Sequence, residues 1–348
     1  MTTNLEVTDY RTEFTEECSL RNRMVFKNNF GWSISREALF DSCRRAYYFH
    51  YYLSWGGWNP DAPVISREAY KLKRLVSLPL WRGQLIHYIA SKILQSTRAK
   101  KRIPAEDDVI NYTVESFEKQ FNFSKDKKYL REPKKKRGKL NTNWLALRDH
   151  EYGIDIPAEK LKKTHDECIE AVRALLSSSI LERISRTDPS EWVIEDIDFS
   201  EFAQSFQFEK AKIFLKTDFI FRGCDNRFNI VDWKTYSGKS SSVNIKTGKA
   251  RDQLNIYGYY AAAILGEPAE NISMHEVNLL DEAAEQTYTI SNESIAAARG
   301  RLKKGIRKLS SVLKDSDIEE NIPIEYRYFP SNRSNKCARC NFLRICDK

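Results

Sequence analysis

Two aspartates and a lysine stand in apolar surroundings in the second half of the chain. Asp218 follows Thr217, and Asp232 lies two residues before Lys234, among isoleucine, valine, phenylalanine and tryptophan. Aspartate is uncommon in strands, and alternate side chains of a strand share a face, so Asp232 and Lys234 face the same way. A predicted hairpin brings Asp218 close to them. Grouped acids are costly to bury unless they are paired or bind a metal.

This combination suits phosphodiester chemistry. A divalent cation with oxygen ligands resolves the repulsion between Asp218 and Asp232, and Lys234 can then orient a water for attack. A plainer interpretation is a salt bridge between Asp232 and Lys234 near a sheet edge, with Asp218 exposed. On the three-residue pattern Asp-x-Lys alone, the salt bridge is the favoured interpretation.

Three further residues have spacings that allow them to join this group. Gln253 and Tyr257 are four residues apart, so they share one face of a predicted helix. His87 follows Gly83 by four residues in an earlier predicted helix. Each also fits an ordinary surface or core role.

The cysteines form a second set of candidate ligands. The last three follow the pattern Cys337-x2-Cys340-x5-Cys346, and with the isolated Cys43 they supply the four thiolates that a [4Fe–4S] cluster takes. A structural zinc site, which more often has paired Cys-x2-Cys knuckles, and unliganded thiols are the alternatives. We expect the remaining cysteines to be ordinary buried or half-buried thiols: Cys18, Cys168 and Cys224.

The elements that must position these residues can be read from hydrophobic spacing. One helix is predicted from Ser35, which can cap it, and a second over Trp81–Gln95, with Leu85, Ile89 and Ile93 on one stripe. Later segments predict strands at 192–199, 205–208, 213–221, 227–233, 272–280 and 286–290, with helices at 250–265 and 294–313. A turn at 222–226 makes 213–221 and 227–233 a hairpin. The order predicts a mixed α/β domain.

Charge and composition narrow the class of protein. The 348 residues carry a net charge of +9, and nine basic against two acidic residues lie between Lys125 and Lys139. Such a run attracts polyanions, although a solvated loop is an equal alternative. The chain has no apolar run long enough to span a membrane and no secretion signal at Met1–Tyr10, so we expect a cytoplasmic protein with no membrane partner.

In chain order the motifs are Gly-x-x-x-His, Thr-Asp, Asp-Trp-Lys and Gln-x-x-x-Tyr. This order resembles the RecB-like branch of the PD-(D/E)XK nuclease superfamily. It is most similar to the iron–sulfur members, which include the CRISPR-associated RecB-like exonucleases and the AddB nuclease domain. The resemblance covers about residues 33–97 and 191–348. Thr217 replaces the proline of the superfamily name, and Leu215 stands where relatives often have glycine; neither change removes a chemical group.

The resemblance implies a restriction-endonuclease-like α/β core, with a central mixed β-sheet flanked by helices, a helical insertion and a C-terminal iron–sulfur clamp. The pattern of the sequence and the resemblance together give these boundaries: a polar N-terminal arm at 1–30, helices with one cluster cysteine and the motif histidine at 31–97, a helical insertion with the basic run at 98–190, the nuclease core at 191–290, and a basic helix with the cysteine cluster at 291–348.

The resemblance also assigns roles to single residues. Mn²⁺ or Mg²⁺ would bind His87, Asp218, Asp232 and the carbonyl of Trp233. Lys234 would be the catalytic lysine, and Gln253 and Tyr257 would support it and the DNA strand. The [4Fe–4S] cluster would bind the remaining set: Cys43, Cys337, Cys340 and Cys346.

The function implied is metal-dependent hydrolysis of DNA, as an exonuclease acting on single-stranded DNA or DNA ends. RecB-like nucleases often work beside a helicase, so a helicase or another protein of DNA repair or phage defence is a candidate partner. Two alternatives have different chemistry: a catalytically silent nucleic-acid-binding module of the same fold, and an iron–sulfur redox or sensor protein.

Overall fold

A computed structural model of the chain describes residues 27–136, 139–195, 204–236 and 249–346. The chain divides into two compact units. The first takes its described residues from Met1–Leu75, Glu209–Lys212 and Gly305–Lys348, and the second from Val76–Phe208 and Ile213–Lys304. Most of the predicted N-terminal arm and the end of the predicted strand at 192–199 lie outside the described residues.

The first unit begins with a short strand and a series of helices. They are β1 (Gly31–Trp32), α1 (Ile34–Ser42), α2 (Arg44–Tyr48), a π-helical turn (Phe49–Leu53) and α3 (Val64–Leu72). The cap of α1 is Ser33, not the predicted Ser35: Ser33 is extended, and its hydroxyl accepts a hydrogen bond from the amide of Arg36 at 3.1 Å. Ser35 lies inside the first turn, where it cannot cap the helix. The spacing that predicts this helix continues to His50, but the helix is interrupted at Cys43, whose backbone is extended.

The helices of the second unit include the one that carries His87. They are α4 (Leu78–Lys100), α5 (Glu106–Lys125), α6 (Arg148–Tyr152), α7 (Ala158–Leu176), α8 (Ser179–Arg186) and α9 (Lys249–Ala263). A further helix, α10 (Asn292–Ser310), has residues in both units. Helix α4 extends the predicted one at both ends: Ser77 caps it one turn earlier, and the helix continues to Lys100. None of the helices among the described residues has the length and apolar character that a membrane span requires.

Within the second unit's described residues, five strands form one mixed sheet in the order β10-β9-β8-β7-β4. They are β4 (Trp192–Glu195), β7 (Phe219–Arg222), β8 (Phe228–Lys234), β9 (Ile272–Asn278) and β10 (Ala284–Thr289). Strands β8 and β9 are parallel, and the other neighbours are antiparallel. A parallel pair needs a crossover, and the connection between β8 and β9 includes α9. The predicted mixed sheet is thus confirmed.

Shorter strands complete the described part of the chain. The pair β2 (Lys135–Lys136) and β3 (Lys139–Leu140) is antiparallel and lies in the basic run, of which residues 137–138 fall outside the described residues. Strands β5 (Gln204–Phe208) and β6 (Ala211–Leu215) precede the hairpin.

The predicted strand at 213–221 is two strands, separated by residues 216–218. The interruption coincides with two tertiary contacts: the carbonyl of Lys216 accepts a hydrogen bond from the Tyr257 hydroxyl at 2.5 Å, and the Thr217 hydroxyl donates one to the Gln204 side chain at 2.5 Å. The Lys216 carbonyl is thus bonded to a side chain instead of a neighbouring strand, and Asp218 lies at the entrance to β7 instead of within a strand.

One face of this sheet packs against helices α4, α7 and α8 in a single core. The predicted stripe of Leu85, Ile89 and Ile93 is at most 1% exposed and lies in this core together with Trp233. Helix α7, from the segment predicted as an insertion, contributes buried residues such as Val172 to the same core. Burying this face fixes the position of α4 against β8 and so determines where His87 lies.

Candidate active site

The β7–β8 hairpin brings the two aspartates together, as the sequence predicts. Its register pairs Phe219 with Val231, so Asp218 and Asp232 come next to each other just beyond that pair. The amide of Trp233 donates a hydrogen bond to Asp218 Oδ2 at 2.7 Å. Both aspartates are buried, with 8% and 4% of their surface exposed.

Helix α4 brings His87 to the same place from 131 residues earlier in the chain. The Nδ1 atom of His87 lies 2.8 Å from Asp218 Oδ1. One turn before it, the helix approaches the end of β8 closely: a Cβ on Gly83 would lie 3.1 Å from the Thr235 hydroxyl. The neighbouring Arg82 is buried, pairs with Glu167 of α7, and donates to the Thr235 carbonyl at 2.8 Å.

Lys234 is held by two partners. It forms an ion pair with Asp232, and its Nζ donates a hydrogen bond to Gln253 Oε1 at 3.1 Å. Gln253 Nε2 then donates to the Tyr257 hydroxyl at 2.6 Å, and that hydroxyl donates to the Lys216 carbonyl. A continuous chain of hydrogen bonds therefore joins the lysine to the segment that carries Asp218.

We refer to Asp218, Asp232, Lys234, Gln253 and Tyr257 as the acid–lysine group. Its two aspartates differ in their electrostatics. Burial raises the pKa of Asp218, but the His87 ring, the Lys216 ammonium and the Trp233 amide together hold it below the ordinary value. Burial raises the pKa of Asp232, and the adjacent Asp218 adds to this effect, while Lys234 only partly offsets it.

The pKa of the lysine and of the tyrosine are both raised. Burial disfavours the ammonium of Lys234, but the Asp232 carboxylate outweighs this and raises the pKa of Lys234 above its usual value. Lys234 is therefore an ammonium throughout the neutral range. Burial and then the nearby Asp232 and Asp218 raise the pKa of Tyr257 well above its usual value, so its hydroxyl keeps the proton that it donates.

A third carboxylate, which our sequence interpretation did not select, faces the acid–lysine group. The parallel register pairs Asp232 with Glu276 of β9, so both side chains share one face of the sheet. Glu276 is 5% exposed, and its Oε2 atom has no hydrogen-bond partner among the described residues. A signal was present: a glutamate inside the strand sequence Ile-Ser-Met-His-Glu-Val-Asn is unusual, because glutamate is depleted in strands.

The sequence matches the model of one known protein family. The family model of the PD-(D/E)XK nuclease superfamily matches residues 31–347, which is most of the sequence. The chain belongs to the PD-(D/E)XK nuclease superfamily. No curated protein shows significant sequence similarity to it.

Members of the PD-(D/E)XK nuclease superfamily usually use divalent metals. No three His, Cys, Asp or Glu side chains in the described part of the chain are arranged to hold a metal ion. The donor set nevertheless fits a divalent cation, because two buried carboxylates lie side by side and a positive charge offsets their repulsion. His87 adds an imidazole whose Nε2 has no hydrogen-bond partner among the described residues.

The cysteine group, defined as Cys43, Cys337, Cys340 and Cys346, lies entirely in the first unit. All four thiols are half-buried and none forms a disulfide. Asn332 lies between two of them: its amide donates to Cys43 Sγ at 3.5 Å, and its carbonyl accepts from Cys337 Sγ at 3.7 Å. The amide of Phe342 donates to Cys340 Sγ at 3.4 Å. The predicted iron–sulfur clamp stays a prediction.

Two of the other cysteines can be compared with expectation. Cys168 is buried in α7, and burial raises the pKa of its thiol to about 12, so it is an inert core residue as predicted. Cys224 is exposed, contrary to prediction, because it occupies the tip of the turn between β7 and β8. Cys18 lies outside the described residues.

Proposed function

We propose that this PD-(D/E)XK protein is a metal-dependent DNA nuclease of the RecB-like, iron–sulfur type, acting on single-stranded DNA or DNA ends. The observation that carries the proposal is the acid–lysine group: two buried carboxylates and an ammonium at one end of strands β7 and β8, with a hydrogen-bonded Gln–Tyr pair on α9. A module that only binds nucleic acid gains nothing from burying these charges together, because such burial costs stability and is expected where it serves chemistry.

Asp218, Asp232, His87 and the Trp233 carbonyl would hold Mn²⁺ or Mg²⁺. The bound cation supplies charge neutralisation at the phosphodiester and lowers the pKa of a water ligand. The remaining roles belong to the chain. His87 and the Trp233 amide fix the Asp218 carboxylate in place, since they hydrogen-bond to its two different oxygens.

Lys234 would orient the attacking water. Its raised pKa keeps it charged, so it acts as a hydrogen-bond donor and not as a base. Gln253 Oε1 accepts a hydrogen bond from the ammonium and thereby fixes its direction. Tyr257 completes the support, because its hydroxyl ties Gln253 to the backbone beside Asp218.

The cysteine group would hold a [4Fe–4S] cluster with a structural role. Four thiols in one compact unit, none of them in a disulfide, supply the required number of ligands, and the amides that donate to Cys43 and Cys340 suit thiolates. A cluster bound there would connect residues almost 300 positions apart, and closing so long a loop stabilises a fold by restricting the unfolded chain.

The proposal is tested with purified protein and end-labelled single- and double-stranded DNA, incubated with Mn²⁺, Mg²⁺ or EDTA. We expect metal-dependent shortening of the labelled strand, faster for single strands or from ends, and none with EDTA. DNA binding without cleavage in either metal would reject the enzyme and favour the silent binding module.

The choice of metal gives a second readout. An imidazole ligand suits Mn²⁺ better than Mg²⁺, which prefers oxygen ligands, so we expect faster cleavage with Mn²⁺. His87→Ala should lose most cleavage without unfolding and should bind Mn²⁺ more weakly in calorimetry. Unchanged Mn²⁺ affinity in His87→Ala would reject the ligand role while leaving the nuclease assignment intact.

A further inference from the structure

Two tryptophans are exposed side by side in the first unit, on the loop between the π-helical turn and α3. Trp55 and Trp58 are 37% and 39% exposed, and their ring centroids lie 5.0 Å apart at an interplanar angle of 87°. Trp58 in turn contacts the half-buried Tyr70 of α3, at 5.9 Å between centroids. An edge-to-face pair covers only one ring face, and each tryptophan keeps more than a third of its surface exposed. We refer to Trp55, Trp58 and Tyr70 as the aromatic platform.

The loop that carries the platform is closely packed. The Ser54 hydroxyl donates to the His50 carbonyl at 2.6 Å, and the Asn59 amide donates to the Gly56 carbonyl at 2.9 Å. Gly57 lies so close to α3 that a Cβ there would be 2.2 Å from the Ser66 carbonyl oxygen. The two tryptophans are therefore presented by a preorganised turn, which lowers the entropy lost when a ligand binds.

Positive charge accompanies the rings. The Lys73 ammonium and the Arg74 guanidinium lie 5.0 and 5.3 Å from the Tyr70 centroid. On the same helix, the acidic Glu68 is paired with Lys71 at 2.8 Å and with Arg344 at 2.9 Å. Residues 55–74 carry four basic and two acidic side chains. The charge beside the rings thus favours an anionic ligand.

We infer that the aromatic platform is a stacking site for the unpaired bases of a single-stranded nucleic acid, with Lys73 and Arg74 contacting its phosphates. Aromatic side chains bind bases of any sequence, because every base offers a π-face, and adjacent cations bind the backbone. Paired bases are stacked inside a duplex and cannot use such a site. The inference rests on the proposed function for its substrate class and specifies the unpaired strand.

Binding is measured in EDTA, so that cleavage plays no part. The probes are a labelled oligothymidylate of about 16 nucleotides, an abasic oligomer of equal length, and a duplex. Trp55→Ala and Trp58→Ala should each weaken oligothymidylate binding by about 5- to 150-fold. The same variants should leave the abasic and duplex affinities within about 2-fold of wild type, and Trp58→Phe should retain most of the binding.

Tyr328→Ala is the matched control, because Tyr328 is an exposed aromatic of the same unit outside the platform. It should bind oligothymidylate like wild type. Equal oligothymidylate affinities of wild type and the tryptophan variants would overturn the stacking site, and so would wild-type binding of the abasic oligomer as tightly as oligothymidylate. If the double variant Trp55→Ala/Trp58→Ala differs from wild type only in its sedimentation mass, the platform is a self-association surface instead. Absence of cleavage by the wild type, by contrast, bears on the nuclease proposal alone.

Discussion

The acid–lysine group and the cysteine group are both clusters of functional side chains, yet they are held in different ways. In the acid–lysine group, Asp218 accepts hydrogen bonds at both oxygens, and Lys234 is bonded to Asp232 and Gln253. In the cysteine group, the contacts of Cys43, Cys337 and Cys340 to backbone groups are longer, at 3.4–3.7 Å, and the thiols are half-buried.

The difference has a physical cause. The acid–lysine group is built on a sheet and two buried helix faces, so apolar packing pays the entropic cost of placing the side chains. Three residues of the cysteine group lie on or beside short turns late in the chain, and Cys43 lies at the break between α1 and α2. The chain itself organises the acid–lysine group, whereas the proposed cluster would order the cysteine group.

The largest expected effect therefore comes from removing the cluster proposed for the cysteine group. In Cys340→Ser a hydroxyl replaces a thiolate, so the variant should lose its iron and its brown colour. The free energy of unfolding should fall by about 5–6 kcal/mol, if the loop-closure entropy of a disulfide is a guide. Iron analysis, the visible spectrum and urea denaturation measure these changes.

The control is Cys224→Ser, since Cys224 is exposed and lies in the other unit. It should keep both iron and stability. A colourless wild type that contains stoichiometric zinc would show that the cluster assignment is wrong and that the cysteine group is a zinc site.

The next largest effect is expected from removing the charge of Lys234 while keeping the shape of the acid–lysine group. Lys234→Met keeps the length of the side chain and removes the ammonium, so cleavage should fall by about 10²- to 10⁴-fold. Binding of DNA and metal should persist, as measured by anisotropy and calorimetry. Lys119→Met, which changes an exposed lysine of α5, should cleave like wild type. Near wild-type cleavage by Lys234→Met would refute the proposed mechanism.

A smaller effect tests the support behind the lysine. Tyr257→Phe removes the hydroxyl that joins Gln253 to the Lys216 carbonyl, so kcat should fall by about 2- to 10-fold with little change in KM. Tyr260→Phe on the same helix should have no effect, because the Tyr260 hydroxyl has no hydrogen-bond partner among the described residues. If KM rises and kcat does not change, Tyr257 contacts the substrate and is not a positioning residue.

Much of the hairpin and of α4 could be predicted from the sequence because their signals are local. Turn residues at 222–226 and alternating apolar residues define the hairpin, and a stripe at helical spacing defines the buried face of α4. The meeting of His87 with Asp218 has no local signal. It depends on which face of the sheet the stripe packs against, and only the family resemblance anticipated it.

The errors arise where tertiary contacts decide the local structure. The strand is interrupted at 216–218, where Tyr257 and Gln204 bind backbone and side-chain groups, and both partners are distant in sequence. Glu276 was missed because its importance follows from the β8–β9 register. Parallel pairing across a crossover cannot be read from either strand alone.

Glu276 faces the acid–lysine group but differs from it, because one of its oxygens has no hydrogen-bond partner among the described residues. Burial raises the pKa of Glu276, Lys234 opposes this, and Asp232 adds to it. As pH rises, the Glu276 carboxyl loses its proton in the unfolded chain before it does so in the folded protein. The stability of the wild type therefore falls between the unfolded and the folded pKa of Glu276. Glutamine does not ionise, so Glu276→Gln should gain stability over wild type, by about 1 kcal/mol near pH 8 and by much less near pH 4.

Glu285 on the neighbouring strand gives a matched control, because its carboxylate should make the protein more stable as pH rises, not less. Burial raises the pKa of Glu285, but Arg183 outweighs it and holds the pKa below the ordinary value. That carboxylate therefore stabilises the fold above the unfolded pKa, and the benefit is lost as pH falls through the folded pKa. Glu285→Gln should lose more stability near pH 8 than near pH 4. Urea unfolding of both variants in EDTA decides the matter: a loss of stability in Glu276→Gln that grows with pH would mean that the Glu276 carboxylate is paired in solution.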